Sequence, residues 1–186
     1  VIARLAIAWC LATSVAAAAD VQFGVLDIAL DAPFTRLARD LDFHDLGATL
    51  ARYPAGRPDF GRRGYACMQR EDALADASCV SHTEQLDGIE TREIRLHFLE
   101  GRLLQFSLTA EVRHYAAVVA YLQARYGAPQ AIPARDDGNQ PAVRWQSETG
   151  RVDAYRGKDL VFVNFEMVAY AEAVKRKREG ERLKCD

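Results

Sequence analysis

Ile94-Arg95-Leu96-His97-Phe98-Leu99-Glu100-Gly101-Arg102-Leu103-Leu104-Gln105-Phe106-Ser107-Leu108 is the stretch that decides the fold class. Ile94, Leu96 and Phe98 alternate with Arg95 and His97. After Glu100-Gly101, Leu104, Phe106 and Leu108 alternate with Gln105 and Ser107. A period of two belongs to strands with one covered face, and a Gly-containing turn between two such runs makes a hairpin. One covered and one wet face imply an antiparallel sheet.

Downstream, Tyr115, Val118, Val119, Leu122 and Tyr126 recur at helical spacing, and Gly127 and Pro129 stop the pattern. This predicts a helix over residues 113–126. A polar loop is expected over 130–141. Val143 and Trp145 open another strand, and strands follow at 151–156 and 160–166. The last of these is the most apolar and is expected near the centre of the sheet. From Val168 a helix is expected that turns highly charged at Lys175-Arg176-Lys177-Arg178.

Upstream, residues 23–30 read as a first strand. Asp31 stands as N-cap before Pro33, and Phe34, Leu37, Ala38 and Leu41 make one apolar stripe, so a short helix is expected over 32–41. Short strands are expected over 65–70 and 79–84. The order is strand, helix, several strands, helix, three strands, helix. It predicts an α+β fold: an antiparallel sheet with two or three amphipathic helices packed on one face. The two helix-then-strands units suggest a tandem repeat, although no residue-level self-similarity accompanies it.

The N-terminus reads as an address. Arg4 precedes an apolar run from Leu5 to Val15, and Ala16 to Ala19 follow before Asp20. A basic start, a short apolar stretch and a small-x-small site are the parts of a secretory signal peptide over residues 1–19, cleaved after Ala19. The run is too short for a spanning helix, which needs roughly 20 apolar residues. A first residue of Val fits a non-AUG start and hints at a bacterial gene. Cys10 lies inside the apolar run behind Trp9, which is a poor lipidation site. The expectation is one domain, residues 20–186, in the periplasm or secreted, with no transmembrane segment in the mature chain.

The chain carries a formal net charge of −2. A mildly acidic balance argues against a nucleic-acid partner, which calls for a positive surface. In an oxidising compartment Cys67 and Cys79, which flank a short polar segment, are the natural disulfide pair. Cys185 is left over, and it could stay free, pair with another molecule, or compete for the other two.

Phe98-Leu-Glu-Gly-Arg-Leu103 and Tyr121-Leu-Gln-Ala-Arg-Tyr-Gly-Ala-Pro129 are followed by a Trp-bearing strand and a final apolar strand. This pattern resembles small bacterial envelope proteins: the outer-membrane assembly lipoproteins with a BamE-like domain, and the tandem-repeat β-lactamase inhibitor proteins. The matching stretch runs mostly from Ile94 to Glu166, and its motifs are structural. The mature N-terminus lacks the lipid-bearing Cys of the lipoprotein group. The resemblance implies protein binding through the solvent face of the sheet or the loops, and it transfers no functional residue.

No catalytic motif supports an enzyme. There is no G-x-S-x-G elbow, H-E-x-x-H or Walker loop. His44, His82, His97 and His114 are scattered. Cys67, Cys79 and His82 fall short of a closed four-ligand zinc site, so no metal and no cofactor are expected. Asp136-Asp137-Gly138-Asn139 reads as a turn. The preferred interaction site is the Gly/Pro-rich segment holding Tyr53, Arg57, Phe60, Arg62, Arg63 and Tyr65, because arginine and aromatic residues are favoured at interface hot spots. A second candidate is the basic helix end, Lys175 to Arg178 with Arg182 and Lys184, for peripheral contact with an anionic membrane. Glu179 and Glu181 dilute that patch, and a solvated helix end is the favoured reading. The expected function is a non-enzymatic protein-binding module whose partner is another envelope or secreted protein: an envelope accessory, an inhibitor or an immunity-type protein. The alternative is a small cell-envelope hydrolase with an unrecognised active site.

Overall fold

The computed structural model describes residues 22–41, 43–45, 64–72, 74–82, 85–132 and 142–182. The signal segment, Cys10, residues 53–63, Asp136 to Asn139, Lys184 and Cys185 lie outside the described residues.

The hairpin read from Ile94 to Leu108 is the centre of an α+β fold. Its strands are longer than the alternation indicates: β7 covers Ile89–Leu99 and β8 covers Arg102–Glu111. Glu100 and Gly101 both take positive φ, 54° and 72°, the geometry of a two-residue turn that matches strand twist. One expectation fails inside β8. Phe98 pairs with Leu103 and His97 with Gln105, so Leu104 is the extra residue of a bulge. The bulge shifts the alternation, and Leu104 clusters with Leu99 rather than with Phe106.

The elements before the hairpin are β1 (Gly24–Val25), β2 (Ile28–Ala29), α1 (Phe34–Asp40), β3 (Phe43–Asp45), β4 (Tyr65–Asp72), β5 (Ala75–Ser81) and β6 (Gln85–Leu86). After it come a 3-10 turn (Val112–His114), α2 (Tyr115–Tyr126), β9 (Gln130–Ile132), β10 (Ala142–Gln146), β11 (Gly150–Arg156), β12 (Leu160–Met167) and α3 (Val168–Arg182). The single first strand expected over 23–30 is a tight hairpin instead, because Leu26 takes φ 56° and reverses the chain. Asp31 does not cap α1. Its own φ is 67°, and its carboxylate accepts two hydrogen bonds from Arg102. The loop expected from residue 130 opens with β9, which pairs with β10.

The large sheet runs β3-β4-β5-β7-β8-β12-β11-β10-β9, with β6 joined to β7 off this path. All of these pairings are antiparallel except β3 with β4. The apolar strand β12 lies in mid-sheet between β8 and β11, as its composition predicts. Two meanders enter from opposite edges, each preceded by a helix, and they meet where β8 pairs with β12. The helix-plus-strands order therefore repeats in the topology. The outermost pair is parallel in one unit and antiparallel in the other.

The main core lies on one face. Leu37 of α1 and Val118 and Leu122 of α2 pack there over Leu96, Phe106 and Phe165. Phe106 and Phe165 sit opposite each other on paired strands, with rings stacked at 4.2 Å. The third helix takes the other side. Tyr170, Ala173 and Val174 of α3 form a separate cluster with Leu99 and Leu104. Leu99 points away from the face that carries Phe98, so α3 lies on the face opposite α1 and α2.

Candidate functional site

Among the described residues, the face opposite the main core is largely polar, and beyond α3 many of its side chains are at least partly exposed. Its residues follow from the alternation: Val152 and Ala154 enter the core, so Arg151, Asp153 and Tyr155 project outward. Strand register then aligns rows across the sheet. One row runs through Arg144, Asp153, Asn164, Ser107 and Arg95 on five neighbouring strands. The next holds Arg151, Glu166, Gln105, His97 and Ser78, and ends at Met68 on β4.

The half of this face on β8 and β10–β12 is an ionic network in which Arg151 Nε is buried without a hydrogen bond. Arg144 donates to Asp153 from Nε at 2.6 Å and from Nη2 at 2.8 Å. The Tyr155 hydroxyl donates to the same carboxylate at 3.1 Å, and Arg151 Nε lies 3.9 Å from it. Arg151 Nη2 reaches Glu166 at 2.7 Å, and Gln105 Nε2 donates to Asn164 Oδ1 at 2.9 Å. These neighbours cover Asp153 until only 2% of it is exposed. Hydrogen bonding to Asp153 pushes Arg144 above the usual guanidinium value. Burial, then the nearby Asp153 charge, raises the Tyr155 phenol, so it remains a donor.

The other half, on β4, β5 and β7, is shorter-chained. Ser78, Val80 and His97 sit there, and Arg95 pairs with Glu93 at 3.0 Å. Two large apolar side chains emerge on the same face, each 45% exposed: Phe162 on β12 and Met68 on β4. Phe162 stands between Thr109 and Tyr155 in the register. Its ring closes over the β11–β12 turn, so closely that a Cβ on Gly157 would fall 3.1 Å from the ring.

The residues singled out from sequence fare differently. Tyr53, Arg57, Phe60, Arg62 and Arg63 lie outside the described residues. Tyr65 is described, and it is not a loop residue: it opens β4 fully buried, its ring 5.8 Å from Phe43. Cys67 and Cys79 face each other across β4 and β5, and their sulfurs are bonded. That bond removes both as zinc ligands or nucleophiles. In the basic helix, Lys177 Nζ donates to Asp76 at 2.7 Å and to the Ala75 carbonyl at 3.1 Å, and Arg176 pairs with Glu100 at 3.4 Å. Two of the four consecutive cations are thus turned towards the protein's own body. Among the described residues, no helix is long and apolar enough to cross a membrane.

Among the described side chains, His82, His97 and His114 do not converge. His82 Nδ1 lies 3.0 Å from the Arg92 carbonyl, His114 accepts from Arg113, and His97 stands on the open face. A half-open cleft of about 250 Å³ lies between the β1–β2 hairpin and the β10–β11 turn, lined by Phe23, Leu30, Asp31, Thr149 and Met167. Its one carboxylate, on Asp31, is already taken by Arg102. The ionic network escaped the sequence reading. The alternation within 151–156 puts Arg151, Asp153 and Tyr155 on one face, but nothing local names β10 and β12 as the flanking strands.

No family model matches the chain, and no curated protein matches it. Among solved structures, it is similar to a GTP binding regulator from Thermotoga maritima, at 13% identity over 72% of this chain and 84% of that one, with a TM-score of 0.36. A likeness that low carries no argument about function.

Proposed function

We propose that this chain is an exported, non-enzymatic protein-binding module whose partner docks on the open face of the sheet. One observation carries the reading: on one sheet face, Arg144, Asp153, Arg151 and Glu166 pair among themselves while Phe162 and Met68 stand exposed. Covering internally paired ions leaves few uncompensated charges, which lowers the desolvation cost of docking. Aromatic residues and Met are enriched where proteins meet. The fitting partner is a folded protein with a near-neutral, mixed polar and apolar surface, and the complex should depend weakly on salt. The Cys67–Cys79 bond fits an oxidising compartment. An envelope accessory, an inhibitor and an immunity-type protein all fit this reading, as does the proposed likeness to BamE-like and β-lactamase-inhibitor proteins. The loop residues Tyr53, Arg57, Phe60, Arg62 and Arg63 are proposed as a second contact.

The test is crosslinked capture from envelope extract with the disulfide-intact chain, residues 20–186. The reading stands if one stoichiometric partner is lost on Phe162→Asp and Ser107→Arg but kept on Gln123→Arg, a change on the exposed side of α2. It falls if both face variants capture the partner as well as the parent does. Replacing Arg57, Arg62 and Arg63 together by Ala tests the loop in the same assay.

A further inference from the structure

β12 runs directly into α3, and at the junction the Val168 N–H bonds to the Thr149 carbonyl at 3.0 Å. From there α3 lies on the polar face over a cluster of its own, separate from the main core. The sheet side of that cluster is Leu99 and Leu104, and Leu104 is there because the β8 bulge turns it out. Polar contacts add to it. Lys177 donates to Asp76 and to the Ala75 carbonyl, and the Tyr170 hydroxyl donates to the Leu74 carbonyl at 3.1 Å. Asp76 also accepts from the Glu100 N–H at 2.7 Å, so one carboxylate ties α3 to the start of β5 and to the β7–β8 turn.

Among the described side chains the helix makes this contact mainly through Tyr170, Ala173, Val174 and Lys177, spaced i, i+3, i+4, i+7, with Arg176 pairing to Glu100 at its edge. Val168, Ala169, Ala171, Glu172, Lys175 and Arg178 are exposed. A helix of 15 residues is marginal in isolation, and Gly180 weakens its last turns. Its order therefore depends on its seat, whereas the sheet beneath is held by a core to which α3 adds little.

We propose that α3 is a displaceable strap: in the free protein it covers Leu99 and Leu104, and it lifts off as a unit to leave an apolar seat on the open face. The seat takes a partner helix that presents an aromatic residue, two small apolar residues one turn on and then a cation for Asp76, which is the pattern α3 itself presents. The identity of that occupant rests on the docking reading above. The strap does not, because its release is measured without a partner.

The experiment is hydrogen exchange followed by mass spectrometry on the chain from residue 20, with the disulfide intact. Residues 168–182 should exchange at least about tenfold faster than β7, β8 and β12, as expected for a sub-global opening. Lys177→Ala should speed α3 alone by about fivefold, in the range of a partly exposed ion pair. Val174→Asp should release α3 and raise binding of a hydrophobic dye while the strands stay protected. If α3 and the strands exchange at one rate, and Lys177→Ala accelerates both alike, α3 is an integral part of the core and the strap is overturned. Failure of the face variants to alter capture would sink the docking reading and leave these rates untouched.

Discussion

Arg144 and Asp153 sit directly opposite each other on β10 and β11, joined by two hydrogen bonds of 2.6 and 2.8 Å around a carboxylate that is almost wholly buried. The pair shows what the open face must satisfy: a charge removed from water needs a partner that holds its geometry. Removing one member of such a pair costs more than the pair contributes, because the other is left buried and uncompensated. Arg144→Met is therefore expected to lower unfolding free energy by about 3 kcal/mol, and Arg144→Met with Asp153→Leu by clearly less. Urea titration of the three proteins checks this. Equal losses in the single and double variants would contradict it.

The Cys67–Cys79 bond closes a loop with a sequence separation of 12 between directly paired strands. Its main effect is to restrict the unfolded chain, and for a loop of this size the contribution is about 3 kcal/mol. Cys67→Ala with Cys79→Ala should lose about that amount in oxidising buffer. In the double variant, added reductant should have no further effect on the urea midpoint.

Phe165 should be among the most sensitive core positions, since it is fully buried and stacked on Phe106 at 4.2 Å. Phe165→Ala should cost about 3–5 kcal/mol through lost burial and a residual cavity. Phe162, three residues earlier on the opposite face and half exposed, should tolerate Ala within about 0.5 kcal/mol. Similar losses at both positions would show that the Phe162 face is packed.

Asp76 supplies a pH dependence. Burial pulls its carboxyl upward, but hydrogen bonds from Lys177 and the Glu100 N–H outweigh that, and the group sits below the ordinary aspartate value of 3.8. A carboxyl depressed on folding stabilises above its unfolded pKa, and it loses that contribution as pH falls through the lower folded value. The seating of α3 should thus be unchanged from pH 7 to about 5 and should weaken below about pH 4. Exchange-rate profiles of α3 in the parent and in Asp76→Asn would show it: the variant should have no acid step in this region.

Gly24 is closed to any side chain. A Cβ there would fall 2.4 Å from the Ile28 carbonyl oxygen, across the tight β1–β2 hairpin. Gly24→Ala should cost about 1–3 kcal/mol by overpacking, and it should also disturb the Tyr126 hydroxyl, which bonds the Gly24 backbone. A thermal shift below about 2 °C would show that the hairpin yields at little cost.

Local pattern accounts for what the sequence by itself determined. Alternation marked β7 and β8, apolar composition marked β12, the stripe from Tyr115 to Tyr126 marked α2, and Cys67 with Cys79 marked their own pairing. Each of these signals is carried by residues close together in the chain, where side-chain period and turn chemistry act directly. The tertiary structure decided the rest. It set β8 beside β12, carried Arg144 to Asp153 and Arg151 to Glu166, turned Leu104 to the far face through one inserted residue, and seated α3 there. Tyr65 shows the same limit: beside a loop in sequence, it is buried because β4 threads it between Phe43 and the core. Strand neighbours and bulge positions are settled by the burial of the whole apolar face at once, and no window of sequence contains that sum.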